Sequence, residues 1–204
     1  MSTPGELEVV ILGCGSSGGV PRGDGDWGSC DPAEPRNRRS RCSLLLRRHG
    51  PDGVTSVLID TSPDIRSQAL AAGIKHVDAV LYTHDHADQT HGIDDLRVFA
   101  MRARGRIPAW MDATTRAALT GRFPYIFDSV EGYPAILEPQ DVPPHGEAWS
   151  VNGAGGPIPV NTFDQAHGPS SGSSTPCAGR RIRRTRIWTG RWTGSRGPVL
   201  RDRC

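Results

Sequence analysis

The chain has 204 residues, which suits one domain or one domain with an appendage. Its 25 glycines and 17 prolines make up about a fifth of the sequence, high for a folded protein but below the level that implies disorder. The net charge of +2 hides two unequal parts: nine arginines and one acid, Asp202, follow Gly168 and carry +8, leaving −6 on residues 1–168.

No apolar run approaches the ~20 residues of a membrane span, and Val9-Val10-Ile11-Leu12 is too short for the apolar region of a signal peptide. A cytoplasmic protein without membrane contact is expected. The five cysteines then suit thiols or metal ligands better than disulfides.

In chain order, Leu7–Leu12 predicts a buried strand, followed by a Gly-rich stretch at 13–40 without apolar periodicity. Cys42–Leu46 and Val54–Ile59 predict two strands joined by a hairpin loop containing Pro51-Asp52-Gly53. Ser62 and Pro63 suit the start of a helix with an apolar stripe of Ile65, Ala69, Leu70 and Ile74, ended by Gly73. Val77–Tyr82 predicts another buried strand, then a helix over about Ile93–Arg104, a strand at Ile107–Met111, and a helix at 113–120 capped by Asp112. Residues 139–157 predict a Pro/Gly-rich loop, and Ile158–Phe163 a strand running into His167. The mixture of hairpins and strand–helix crossovers implies a layered α/β sheet.

Gly13-Cys14-Gly15-Ser16-Ser17-Gly18 matches a dinucleotide-binding fingerprint, which has meaning only where a helix opens at its end. The following Gly19-Val20-Pro21-Arg22-Gly23-Asp24-Gly25 cannot be that helix, so a tight loop near a site is expected instead. The chemistry concentrates in Thr83-His84-Asp85-His86-Ala87-Asp88-Gln89-Thr90-His91-Gly92, at the end of a predicted strand. Residues two apart on an extended segment point the same way, so His84, His86 and Asp88 are expected to converge. Imidazoles with a carboxylate are ligands for Zn²⁺ and similar metals. His49, His76 and His145 are isolated and read as surface or structural. Asp94, Asp95 and Arg97 read as helix-surface charges or partners of the ligands.

That segment resembles the HxHxDHxxG signature of the metallo-β-lactamase superfamily. The resemblance extends to the Gly-Cys-Gly-x-x-x-Gly-Val-Pro loop, to Arg36-Asn37-Arg38-Arg39-x-Arg41-Cys42-Ser43, to Asp60 at a strand end and to His167 after a strand. It covers residues about 7–168 and is nearest to the branch of phosphoribosyl 1,2-cyclic phosphate phosphodiesterases, with ribonuclease Z as a cousin. The resemblance implies an αββα sandwich and hydrolysis of a phosphodiester by a metal-bound hydroxide, with a cyclic ribose phosphate as favoured substrate. A tRNA 3′-end endonuclease is the alternative, although no RNA-binding arm is found within residues 93–150. The implied cofactor is Zn²⁺ or Mn²⁺, two ions in the family and one plausible here. His84, His86 and His167 would hold the first metal, Asp88 would hold the second and orient the nucleophile, and Asp60 would fix a ligand from behind. A small phosphodiester is the expected partner rather than nucleic acid, and a homodimer stays open.

Three departures stand out. Gln89 replaces the last histidine of the signature, and an amide oxygen is a poor zinc ligand; His91, three residues after Asp88, is a substitute if a helix has begun. Cys30 stands without the cysteine cluster of the phosphodiesterase branch, leaving a structural metal or an idle thiol. His167 is the last histidine, so a complete two-metal site cannot be built, and the sandwich is expected to be incomplete at the C-terminus. Residues 169–204 are expected to be an unfolded Arg/Gly/Ser-rich tail. Trp188-Thr189 and Trp192-Thr193, read one base earlier, each become Leu, Met or Val followed by Asp, so a reading-frame shift after Gly168 competes with a genuine basic arm. An inactive truncated product binding at most one metal is a further alternative.

Overall fold

The computed structural model describes residues 5–163; His167, the expected domain end at Gly168 and the tail at 169–204 lie outside the described residues. Strands β1 (Leu7–Gly13), β2 (Ser43–Gly50) and β3 (Gly53–Ile59) form an antiparallel meander. Gly50 pairs with Gly53, so the hairpin loop is the two residues Pro51-Asp52. Helix α1 (Ile65–Ala71) then crosses to β4 (Ala79–Leu81), parallel to β3. The short α2 (Ala87–Thr90), a 3-10 turn at Ile93–Leu96 and α3 (Arg97–Ala103) lead to β5 (Ile107–Met111). Helices α4 (Ala113–Arg122) and α5 (Pro124–Phe127) lead to β6 (Leu137–Asp141), parallel to β5. The sheet order is β1-β2-β3-β4-β5-β6, and β7 (Ala148–Val151) with β8 (Ile158–Asn161) makes a separate antiparallel ribbon.

Strand alternation divides the apolar residues into two layers. Leu45, Leu58, Val80 and Ala109 face the helices and bury Ile65, Ala69, Ile93, Leu96, Leu119 and Ile126. Leu46, Val57, Ile59, Ala79 and Leu81 face the other way and meet Val151, Ile158 and Val160 of the ribbon. The result is helices on one face of a mixed sheet and a ribbon on the other, the layered α/β arrangement expected.

Several expected elements are revised. β1 is not buried throughout but lies at the sheet edge: Val10 and Leu12 pack toward the helices, Leu7 packs against the ribbon layer, and Val9 and Ile11 are 54% and 69% exposed. Leu70 leaves the expected α1 stripe and is 69% exposed, and the strand expected from Cys42 starts at Ser43. The expected helix at Ile93–Arg104 is a 3-10 turn followed by α3, closed by Arg104 in the left-handed region at φ 53°. The expected loop at 139–157 contains most of β6 and all of β7. Pro139 is tolerated because β6 pairs on one side only, where a missing N–H can face away from the ladder. Strand β5 has its expected bounds, and Asp112 caps α4 by accepting a hydrogen bond from the Thr115 N–H at 2.7 Å. Among the described residues no helix is long and apolar enough to cross a membrane.

Candidate metal centre

Asp60 ends β3, and Thr83–His86 follow β4, so both stand beyond the carboxyl ends of neighbouring parallel strands, where open α/β sheets bind ligands. Asp60 is buried and sits in the left-handed region at φ 59°, a conformation that costs a non-glycine residue free energy and clusters at functional sites. Thr83 grips its carboxylate twice: the Thr83 N–H donates to Oδ1 at 2.8 Å and the Thr83 hydroxyl to Oδ2 at 2.7 Å. The same hydroxyl oxygen lies 2.9 Å from His84 Nδ1. A hydroxyl has one proton, here committed to the carboxylate, so the His84 contact is Nδ1–H donating to Oγ1. This fixes the tautomer of the buried His84 ring and places its lone pair on Nε2.

The His86 ring is 4.6 Å from that of His84, centre to centre, at an interplanar angle of 69°. His86 occupies the N-cap position of α2, and its carbonyl accepts from the Gln89 N–H at 3.0 Å and the Thr90 hydroxyl at 2.9 Å. Because the chain turns helical at Ala87, two-residue alternation stops at His86, and Asp88 takes its direction from the helix. Its Oδ2 accepts from Gln89 Nε2 at 3.2 Å. Gln89 is buried, whereas His91 is exposed and packs edge-on against Phe123 at 5.5 Å. His84 and His86 are thus brought together, Gln89 supports Asp88, and His91 lies against α4's end.

As donors, these groups suit a divalent metal in part. One imidazole has its Nε2 lone pair fixed by a buried carboxylate relay, and a second lies beside it, the pairing zinc sites use. Among the described residues no group of three or more His, Cys, Asp or Glu side chains is gathered to hold an ion, and Cys14 and Cys30 are free thiols. A third donor would have to come from outside them, where His167 lies.

Three further supports surround the centre, through contacts that local spacing does not reveal. Arg122 of α4 clamps the loop by donating to the carboxylate of Asp85 at 2.8 Å and to its carbonyl. Thr61 ties the two strand ends: its N–H donates to the Gln89 carbonyl at 2.8 Å, its carbonyl accepts from the Gly92 N–H at 2.9 Å, and its hydroxyl lies 3.0 Å from the Tyr82 oxygen. Burial pushes the Tyr82 phenol far above its ordinary range, so it stays protonated and serves as a hydrogen-bonding strut. Arg41 grips Asp64 with two parallel bonds at 2.9 and 2.7 Å, and its own N–H adds a third at 2.8 Å. The Arg41 hydrogen bond holds the Asp64 carboxyl below its usual range; Asp64 in turn raises Arg41, with the nearby Asp88 charge adding to the effect. Thr83 belongs to the polar cluster, but its role depends on a residue 23 positions away, which local spacing does not reveal.

The family profile described as a beta-lactamase superfamily domain matches residues 55–190. An octanoyltransferase from Porphyromonas gingivalis is 36% identical over 121 residues, covering 59% of this chain and 24% of that protein. Coenzyme PQQ synthesis protein B from Methylobacterium nodulans is 34% identical over 104 residues, 45% of this chain and 34% of its own. Among solved structures, a diphosphatase from the PhnP family superposes with a TM-score of 0.66 at 34% identity, over 81% of this chain and 60% of that one. The metallo-beta-lactamase fold protein YhfI from Bacillus subtilis superposes at 0.51 and 18% identity, over 81% and 55%, a likeness of fold. The chain therefore spans a quarter to a third of these curated relatives and at most 60% of these structures. With the profile spanning two thirds of the chain and the layered fold shared, the chain belongs to the beta-lactamase superfamily and has the fold of its metallo-β-lactamase hydrolases.

Proposed function

We propose that this chain is a metal-dependent hydrolase of phosphodiesters, with a small cyclic ribose phosphate as the favoured substrate. The observation that carries the reading is the Asp60–Thr83–His84 relay beside His86 at the carboxyl ends of β3 and β4. Phosphoryl chemistry is supported by the 34% identity to the PhnP-family diphosphatase. A small substrate suits the fold of residues 93–150, which form α3, β5, α4, α5, β6 and the start of β7.

His84 through Nε2, His86 and His167 would hold a Zn²⁺ or Mn²⁺ ion, and Asp88 would serve a second ion if one binds. When bound, such an ion makes water acidic enough to attack near neutral pH and offsets charge on phosphoryl oxygens. Asp60 and Thr83 keep the His84 ring from rotating and its Nδ1 protonated. Asp88, with its carboxylate held by Gln89, orients the attacking water. Arg122 keeps the His84–His86 loop seated on α4, where a small displacement would misalign the reacting atoms. Hydrolysis of bis(p-nitrophenyl) phosphate by the full chain, with Zn²⁺ or Mn²⁺ and with chelator, tests the reading. Metal-dependent release of p-nitrophenol is expected; equal release with chelator would reject it.

A further inference from the structure

The far end of the sheet holds a cavity that the metal centre does not use. Strands β4, β5 and β6 run parallel, and His84 and His86 follow the carboxyl end of β4, whereas this cavity of about 540 Å³ opens at the amino ends of β5 and β6. It lies between the end of α3 and residues 133–136, and its volume is within the range of roughly 300–1,000 Å³ usual for small-molecule sites. Ala100, Ala135 and Ile136 are buried beneath it, and Met101 and Tyr133 stand at its mouth, 67% and 69% exposed. The wall that carries Tyr133 is held in place. Val130 and Tyr133 exchange backbone hydrogen bonds at 3.1 and 2.8 Å around a turn whose central residues, Glu131 and Gly132, both have positive φ. The Ala135 N–H donates to the Ser129 hydroxyl at 3.1 Å, and the Ile136 N–H to the Ile126 carbonyl at 2.8 Å.

Three arginines, Arg97, Arg104 and Arg106, line this apolar space, and among the described residues no acidic side chain does so. Asp94 pairs with Arg97 at 2.9 Å. Arg106 is anchored by neutral groups instead: its Nε and Nη2 donate to the Leu137 carbonyl at 3.0 and 2.6 Å, and Nη2 to the Phe127 carbonyl at 2.8 Å. Its guanidinium is therefore fixed, its charge meets no carboxylate among the described residues, and its Nη1 protons take no part in those three bonds. Arg104 adds a second cation where it closes α3 in the left-handed region.

We propose that the cavity binds a small carboxylate with an apolar body, a ring system or a short chain, with Arg106 as the fixed anchor for its anionic end and Arg104 beside it. The apolar base receives the body, and the planar fork of a held guanidinium matches the two oxygens of a carboxylate. A dianion such as phosphate fits less well, because apolar walls repay little of the cost of stripping it of water. The proposal does not rest on the phosphodiesterase reading, whose site stands at the other end of the strands.

Calorimetric titration of the full chain with 2-naphthoate under chelator tests it. Saturable binding is expected, about tenfold or more tighter than that of the neutral 2-naphthalenemethanol. Arg104→Gly, in which glycine takes the left-handed conformation without strain, should weaken binding several-fold, and Met101→Glu at the exposed mouth should do the same. Arg106→Gln should weaken it about tenfold or more, whereas Arg102→Ala, which removes a charge of the same helix outside the cavity, should leave it unchanged. If the urea midpoint shows that Arg106→Gln does not fold, Arg104→Gly and Met101→Glu decide. No binding would overturn the proposal. Affinity equal to the parent chain in both of those variants would also overturn it, placing the anion elsewhere, as on the nine arginines after Gly168. Equal affinity for the neutral alcohol would leave only an apolar pocket and reject the anion. Tighter binding of inorganic phosphate, or of a peptide ending in a free phenylalanine carboxylate, would reassign the cavity to a simple ion or to a protein terminus.

Discussion

Thr83→Val replaces the hydroxyl that links Asp60 to His84 with a methyl group of similar size, so the packing is kept and two hydrogen bonds are lost. The first is the 2.7 Å bond to a buried carboxylate, worth roughly 1.5–3 kcal/mol because the acceptor is charged. Asp60 keeps the 2.8 Å bond from the Thr83 N–H, so the upper end of that range is not expected. The second is the 2.9 Å contact that fixes His84, whose loss frees the ring to take the other tautomer. Outer partners of this kind usually change metal affinity about 10- to 100-fold, equivalent to roughly 1.4–2.8 kcal/mol. Two assays separate the effects: the urea midpoint under chelator reads the fold, and competition with a chromophoric chelator reads zinc affinity. Thr83→Ser, which restores the hydroxyl, should recover both. If Thr83→Val bound zinc within about twofold of the parent chain, the relay would not orient His84 and the reasoning would fail.

Arg122→Ala should lower diester hydrolysis well before it lowers stability. The Arg122–Asp85 pair is partly solvent-exposed, so thermal denaturation should cost no more than about 1 kcal/mol while turnover falls as the loop loosens. Gly92→Ala should destabilise the fold by roughly 1–3 kcal/mol in urea, because an added Cβ would overlap the Ser62 carbonyl and lie 2.6 Å from Ile65 Cγ2. The Arg41–Asp64 pair sets a pH dependence of known sign. Its depressed carboxyl stabilises the fold above the ordinary carboxylate range and loses that contribution as pH falls through the lowered value. The gap in urea midpoint between the parent chain and Arg41→Met should be constant above about pH 5 and shrink below about pH 4; a gap that widened on acidification would show the sign to be wrong.

The parts of the fold legible in the sequence are those specified locally. Ile107–Met111 is an apolar run bounded by polar residues, and Asp112 lies where an N-cap must lie, so both were read correctly. β6 was not, because Glu138, Pro139 and Gln140 look like a loop and become a strand only by pairing with the β5 backbone. β1 stands where its apolar strip places it, but such a strip does not reveal whether a second layer covers it, and Val9 and Ile11 are left uncovered among the described residues. At the site, His84 and His86 stand out by spacing, and Asp60 only through the family resemblance, which places an acidic residue there. The hydroxyl that joins Asp60 to His84 and the Arg122 clamp depend on contacts across 23 and 37 residues, which only the folded chain brings together. Asp88 shows the opposite failure: alternation was extended past the residue where a helix begins.

The central claim is that His84 and His86 anchor a metal that hydrolyses phosphodiesters. Its most direct test is the rate of bis(p-nitrophenyl) phosphate hydrolysis by the Zn²⁺- or Mn²⁺-loaded full chain and by His84→Ala, with metal content measured on the same samples. The account predicts metal-dependent hydrolysis in the parent chain and, in His84→Ala, loss of both bound metal and about a hundredfold or more of the rate. Hydrolysis and metal content unchanged in His84→Ala would contradict it.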